Sequence, residues 1–256
     1  MNEYFYKVWI PIQVFTVLGF MLLFTGIISI NWYIVLISWF LIGPVGVGVG
    51  FHKLFSHRQF VTWKPVEYTL AILGTLSAYA PILFWVSNHQ LHHRISDTEK
   101  DVSSPIQHGF LESFFTYRMR KSVTRKIHLK NFCSRAIIAD KFLMFLSKHF
   151  IVLIWTVMLI LMLSGYGLLF NLFLLPVLIE HTRTNVVSSL SHMDIPFSYR
   201  NYETKDNSQN NIIIGILSMG FGWHNNHHHN PRQKHNRVKW WELDVEGRIA
   251  KILSKE

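Results

Sequence analysis

The chain has 256 residues, 50% of them hydrophobic and 16% charged, with a mean hydropathy of +0.21 and a formal net charge of +10. That balance is too apolar for an ordinary soluble domain and points to a membrane protein. The lone cysteine, Cys133, excludes an intrachain disulfide framework and a thiolate metal site and suits a reducing cytoplasm, so any metal has to be held by imidazole.

In chain order, residues 9–30 and 33–51 are uncharged apolar runs long enough to cross a hydrocarbon core, joined by "NW" as an antiparallel pair. The first run is too long for a cleavable signal peptide and is expected to stay as a span. Residues 69–86 form another apolar run, interrupted by Pro81 and set between polar blocks. They are read as a helix lying in the interface or buried in protein. A second pair follows at 148–164 and 166–181, hinged at Gly165. The expected fold is all-α integral membrane: four transmembrane helices in two hairpins, with a cytoplasmic helical cap made of residues 52–147 and 182–256. The whole chain, 1–256, is read as one domain.

Charge orients this arrangement. Arg94, Lys100, Arg118, Arg120, Lys121, Arg125, Lys126, Lys130, Arg135, Lys141 and Lys148 lie between the two pairs, whereas the tight connections carry no cation. The positive-inside rule therefore places both termini and the polar blocks in the cytoplasm. The basic residues sit beside spans, where attraction to anionic lipid accounts for them, so nucleic acid is not expected as a partner.

Eight of the fifteen histidines fall in three short clusters: His52 and His57 in "HKLFSH", His89, His92 and His93 in "HQLHH", and His224, His227 and His228 in "HNNHH". All three clusters map to the cytoplasmic edge of the spans. On a helix, residues three and four apart share a face, so each H-x-x-H-H offers neighbouring imidazoles, while its last two members diverge and can serve two different ions. His52 and His57 are five apart, which regular α-geometry splays, so a distorted turn or service to separate metals is expected. Eight imidazoles exceed what one tetrahedral ion needs. Zinc stays open at this point, although it normally closes at four ligands and has no redox chemistry.

"HKLFSH", "HQLHHRISDTEKD" and "GWHNNHHHNP", in this order, resemble the three histidine boxes of the integral-membrane fatty acid desaturases. The branch resembled is the Δ9 one, which includes stearoyl-CoA desaturases and bacterial acyl-lipid desaturases. The similarity runs from about Val45 to Trp241 and includes "RNYETKDNSQNN" at 200–211 and "KWWELD" at 239–244. The resemblance implies a histidine-rich dimetal site with two non-haem irons, held by His52, His57, His89, His92, His93, His224, His227, His228 and one more histidine at the position of His192. No catalytic residue beyond these ligands is implied. It also implies an O2-dependent oxidoreductase that places a cis double bond, at Δ9, in a saturated fatty acyl chain. Electrons would come from an external donor of the ferredoxin or cytochrome b5 type with its reductase, because the chain carries no haem-binding or ferredoxin-like segment. A membrane hydroxylase and an inactive lipid-binding relative are the alternatives.

Asp97, Asp101, Asp206, Asn225 and Asn226 are candidates to orient ligand rings. Two positions depart from the family pattern. Ser188 stands where stearoyl-CoA desaturases carry a metal-supporting asparagine, and Phe221 stands where glutamate is usual. His229 is expected at the surface or beside the ligands, and His108, His128, His149, His181 and His235 are read as structural or interfacial. Ser87, Asn88 and Gln90 replace the charged residues with which acyl-CoA desaturases hold the nucleotide, so an acyl chain esterified in membrane lipid is favoured over acyl-CoA or acyl-carrier protein. A substrate pocket is expected along the second span, from Phe40 at its floor past Leu41, Val45 and Gly48, with Trp85 beside it. Tight helix packing is the competing explanation for "GVGVG".

Overall fold

The computed structural model describes residues 3–116 and 132–255. The cations expected from Arg118 to Lys130, and His128, lie outside the described residues. Helix α1 runs Phe5–Phe24 and α2 runs Trp32–Ser56; each is long and apolar enough to cross a membrane. Both carry large apolar side chains on their outer surfaces, among them Val14, Val17, Met21 and Ile37.

The α1–α2 connection is longer than the two residues expected. α1 ends at Phe24 although the sequence stays apolar to Ile30, because Gly26 takes a left-handed conformation (φ 75°) that a helix cannot continue through. Asn31 then caps α2, its side chain accepting from Ile34 N at 3.2 Å. α2 in turn overruns its apolar stretch, carries His52 inside it, and stops where Arg58 turns to φ 51°.

Helix α3 (Lys64–Leu76) and helix α4 (Ile82–Ile95) replace the single helix expected over 69–86. The break falls at Ala78, with φ 54°, and Pro81, which has no N–H to offer a preceding turn. α3 packs backbone to backbone on α2: a Cβ on Gly46 would stand 2.5 Å from Leu73 C and Gly74 N. The glycine run thus serves close helix approach. Phe51, Leu70, Ala71, Ile82 and Val86 fill the seam.

Helix α5 (Lys141–Lys148) meets α6 (Phe150–Leu163) at a 69° bend, and the pair qualifies as a third crossing if counted as one span. After Gly165 (φ 126°), the segments Tyr166–Leu169, Phe170–Leu174 and Leu175–Leu190 follow without a break as α7. α7 extends past residue 181 and carries the buried ion pair Glu180–Arg183. Its Asn171 ties α7 to the α1–α2 connection, accepting from Asn31 N at 2.7 Å and donating to Ser29 O at 2.9 Å. Ile12, Val35, Ile154, Leu169 and Phe170 pack between α1, α2, α6 and α7.

The remainder is a polar block. Strands β1 (Ser198–Tyr199) and β2 (Asn210–Asn211) pair antiparallel, followed by α8 (Ile212–Leu217), α9 (His224–His229) and α10 (Val245–Leu253). Asp244 caps α10 through Gly247 N at 2.7 Å, and α10 packs on α2, where the carboxylate of Glu246 fills the space left by Gly48.

Candidate metal centre

Two imidazoles five residues apart on an α-helix point about 140° away from each other. In α2 the last turns are widened instead. His57 N donates to His52 O at 3.1 Å, Gln59 N donates to Lys53 O at 3.0 Å, and Ser56 Oγ donates to Phe51 O at 2.7 Å. The first is a π-type spacing, continuing the π-helical form of Leu41–Ser56, which stacks residues five apart and tends to occur at functional sites. His52 and His57 consequently face the same point, with ring centroids 4.9 Å apart.

The ring nitrogens collect into two groups, within each of which they lie within 4.8 Å of one another: His52, His57, His89, His93 and His227 in one, His92, His192, His224 and His228 in the other. Helical spacing explains the division. His89 and His93 share a face of α4 and His224 and His228 a face of α9, so His92 and His227 point elsewhere. Each adjacent pair, His92/His93 and His227/His228, is split between the groups. His192 arrives from the end of α7.

The nitrogens approach one another too often for hydrogen bonding among themselves to satisfy them all. His89 Nε2 lies 2.7 Å from His57 Nε2 and 3.1 Å from His93 Nε2, and His227 Nε2 lies 2.9 Å from His52 Nε2 and 3.0 Å from His93 Nε2. In the second group, His192 and His224 Nε2 are 3.1 Å apart. A neutral imidazole has one N–H and one lone pair. The buried Nε2 of His228, whose Nδ1 is taken by Asp206, has no hydrogen-bond partner among the described residues. A cation shared by converging lone pairs satisfies such a set, and burial favours the neutral form that ligation needs: it lowers His89, His93, His224 and His227 well below 6.5, and His57 to about 3. All-imidazole donor sets suit iron, copper, zinc or nickel. The buried thiol of Cys133, pushed up to about 11 by burial, stands outside both groups.

Three of the five expected ring-orienting residues touch a histidine. His192 Nδ1 donates to Asp97 at 2.9 Å, His92 Nδ1 to Asp101 at 3.0 Å, and His228 Nδ1 to Asp206 at 2.5 Å. Burial opposes ionisation of Asp97, but hydrogen bonds from His192, Ser104 and Asn207 outweigh it and hold the carboxyl at about 2. Asp101 and Asp206 are depressed for the same reasons, with His92 and His228 as their largest favourable partners. All three carboxylates serve the four-histidine group.

Asn225 and Asn226 are used differently from that expectation. Asn225 Oδ1 accepts from Asn201 N and Tyr202 N, and Asn226 bonds Asn201, Asn210 and Glu242. They fasten the 200–211 segment to α9 and, among the described residues, bond no ring nitrogen. Ser188 donates to Asn185 O of its own helix. Phe221 packs its ring against His52 at 4.8 Å, with Arg183 on it at 5.0 Å, and Trp85 stacks on His89 at 5.0 Å. His229 is exposed, stacked on Tyr202 at 3.8 Å. Of the other expected pocket residues, Phe40 is half-buried, Leu41 is exposed, Val45 packs into the α2–α3 seam, and Gly48 faces Glu246. Gly48 thus makes room for a carboxylate of α10.

The residue that sequence reasoning missed is Glu242. This buried carboxylate accepts from Tyr199 Oη (2.5 Å), Asn201 Nδ2 (3.0 Å), Asn226 Nδ2 (3.0 Å), Lys239 N (3.0 Å) and Val238 N. The available signal is an acid directly after the Trp240–Trp241 pair, where the basic stretch 231–241 ends.

The chain matches the fatty acid desaturase family over residues 8–249. It is 32% identical over 222 residues to an sn-1 stearoyl-lipid 9-desaturase of Anabaena variabilis, covering 86% of this chain and 79% of that one. A protein of the same name from Synechocystis sp. is 33% identical, covering 83% of this chain and 65% of that one. An sn-2 palmitoyl-lipid 9-desaturase of Nostoc sp. is 32% identical, over 83% and 74% of the two chains.

Proposed function

The chain belongs to the fatty acid desaturase family, and from that premise we propose that this oxidoreductase places a cis Δ9 double bond in a saturated acyl chain carried by a membrane lipid. Two non-haem irons are the proposed cofactors, one in each histidine group. The observation that carries this reading is the division of nine histidines into groups of five and four, with consecutive residues separated between them. An unactivated methylene has no acidic proton for an acid–base group to take, and a pair of irons with O2 supplies the oxidising power that its C–H bonds require. Each turnover takes two hydrogens from the chain, with two electrons and two protons from outside, and reduces O2 to two waters.

The protein's own part is orientation and exclusion. Asp97, Asp101 and Asp206 fix His192, His92 and His228 as Nδ1–H tautomers, which leaves each Nε2 lone pair directed inward. Trp85 and Phe221 cover the five-histidine group with aromatic surface and limit water there. A lipid-borne acyl chain is favoured because the positions flanking His89 are committed to the fold. Ser87 Oγ donates to Leu83 O at 2.6 Å, Asn88 Nδ2 to Phe84 O at 3.0 Å, and Gln90 Nε2 to Ser56 O. None carries a charge to hold a nucleotide. The relatives named as stearoyl-lipid and palmitoyl-lipid desaturases support the same carrier and Δ9 position.

We further read the chain as one domain with four spans in two hairpins, α7 supplying the fourth, and with both termini and the histidine groups on the cytoplasmic side. Expression in a desaturase-deficient host tests the function. Gas chromatography of the lipids with double-bond localisation is expected to show a new Δ9 monoene in phospholipid, and the purified protein is expected to hold two irons. An unchanged lipid profile with iron present would reject the assignment.

A further inference from the structure

A row of aromatic rings runs from Trp223, the residue that precedes the ligand His224 in the chain, to the surface of the polar block. Trp223 is fully buried and covalently adjacent to His224. Its ring lies over Gly215, where a Cβ would stand 2.4 Å from it, and its Nε1 donates to Leu243 O at 2.8 Å. Trp241 meets this ring edge-on, with centroids 5.8 Å apart and planes at 81°. Trp241 is half-buried and in turn meets Tyr199 at 5.6 Å, and its neighbour Trp240 is 86% exposed. Glu242 clamps this segment to α9 through Asn226 and to β1 through Tyr199.

The outer end of the row is cationic. Lys239 Nζ stands 4.3 Å from the Tyr199 ring centre and 5.5 Å from that of Trp241. The segment 231–240 contains Arg232, Lys234, Arg237 and Lys239 and no acid.

We propose that Trp241 and Trp223 are the route by which electrons reach the histidine groups, and that the basic face around Arg237, Lys239 and Trp240 docks a one-electron carrier protein with an acidic rim. This rests on the function proposed above, because the reaction consumes two electrons that the chain cannot generate. Electron tunnelling weakens steeply with the gap between donor and acceptor, so rings in edge contact that end beside a ligand shorten the longest jump. Clustered cations steer an acidic partner to the face, and an exposed tryptophan among them is the residue type that anchors such contacts. In each transfer the reduced carrier loses one electron and the iron centre gains one. No bond forms or breaks, and two transfers serve one turnover.

The test uses the iron-loaded protein in detergent without O2, mixed with reduced two-iron ferredoxin in a stopped-flow spectrometer, and separately with dithionite, a small reductant that needs no docking. Trp241→Leu is expected to slow ferredoxin oxidation about tenfold, and Trp241→Phe to restore it, with iron content and the dithionite rate unchanged in both. The double variant Arg237→Glu, Lys239→Glu is expected to weaken ferredoxin binding about tenfold at low salt and to abolish its salt dependence. A Trp241→Leu protein that oxidises ferredoxin at the parent rate would overturn the route, as would one slowed equally towards dithionite. Undiminished binding by the charge-reversed protein would overturn the docking face. A parent protein that holds iron but accepts no electron from dithionite would reject the proposed function itself.

Discussion

Removing the Glu242 carboxylate strands five donors: the Tyr199 hydroxyl, two asparagine amides and two backbone N–H groups. A buried donor left without a partner costs about 1–3 kcal/mol, although the Tyr199 hydroxyl can rotate and water can enter the space in Glu242→Ala. The net loss expected for Glu242→Ala is therefore about 3–5 kcal/mol, the range seen when one member of a buried charged network is deleted. Glu242→Gln is gentler. With its amide nitrogen turned towards Tyr199, which then accepts, the remaining oxygen keeps Asn226, Val238 and Lys239, and only Asn201 loses its acceptor. That variant is expected to lose about 1–3 kcal/mol. In a chain of this size the alanine loss corresponds to a fall of roughly 10 °C in melting temperature, read by intrinsic fluorescence in detergent alongside iron per protein. The refuting result is a Glu242→Ala protein that melts within about 1 °C of the parent, since 1 kcal/mol shifts a domain of 150–250 residues by about 2–4 °C.

His93→Ala and His228→Ala are each expected to abolish desaturation and lower bound iron, whereas His229→Ala changes neither, because it stacks on Tyr202 outside both groups; metal analysis with lipid profiling decides between them. Gly46→Ala forces α2 and α3 apart and is expected to cost about 1–3 kcal/mol, read as a lower melting temperature; an unchanged one would refute the close approach. If Phe40 closes the acyl pocket, Phe40→Ala extends the range of chain lengths desaturated at unchanged iron content, and an unaltered product distribution excludes it as the floor.

The histidine boxes were legible because ligand spacing is local: residues four apart on α4 or α9 share a face wherever the helix is placed, and the split between His92 and His93 follows from the same geometry. The distortion at "HKLFSH" was also legible, since five residues cannot align on a regular helix, and the widened end of α2 is the form it takes. Helix limits were not legible from apolarity. α1 stops inside an apolar run because of the backbone at Gly26, and the 69–86 run divides at Ala78. Long-range roles were hidden for a different reason. Glu242 draws its long-range partners from two separated segments, 199–201 and α9, and Gly48 faces a carboxylate of α10, so neither position carries a local pattern. Asn225 and Asn226 sit beside ligands in sequence, yet their amides point away to fasten the 200–211 segment.

The separation of chain-adjacent histidines has a mechanical consequence. Consecutive Cα atoms are held about 3.8 Å apart by covalent geometry that thermal motion does not stretch. His92–His93 and His227–His228 therefore act as two gauge blocks laid across the gap between the groups, one on α4 and one on α9. Breathing of the surrounding helices can tilt both groups together, but it cannot readily widen the span between them. A single-residue insertion or deletion within either block would change that span by a whole helical step.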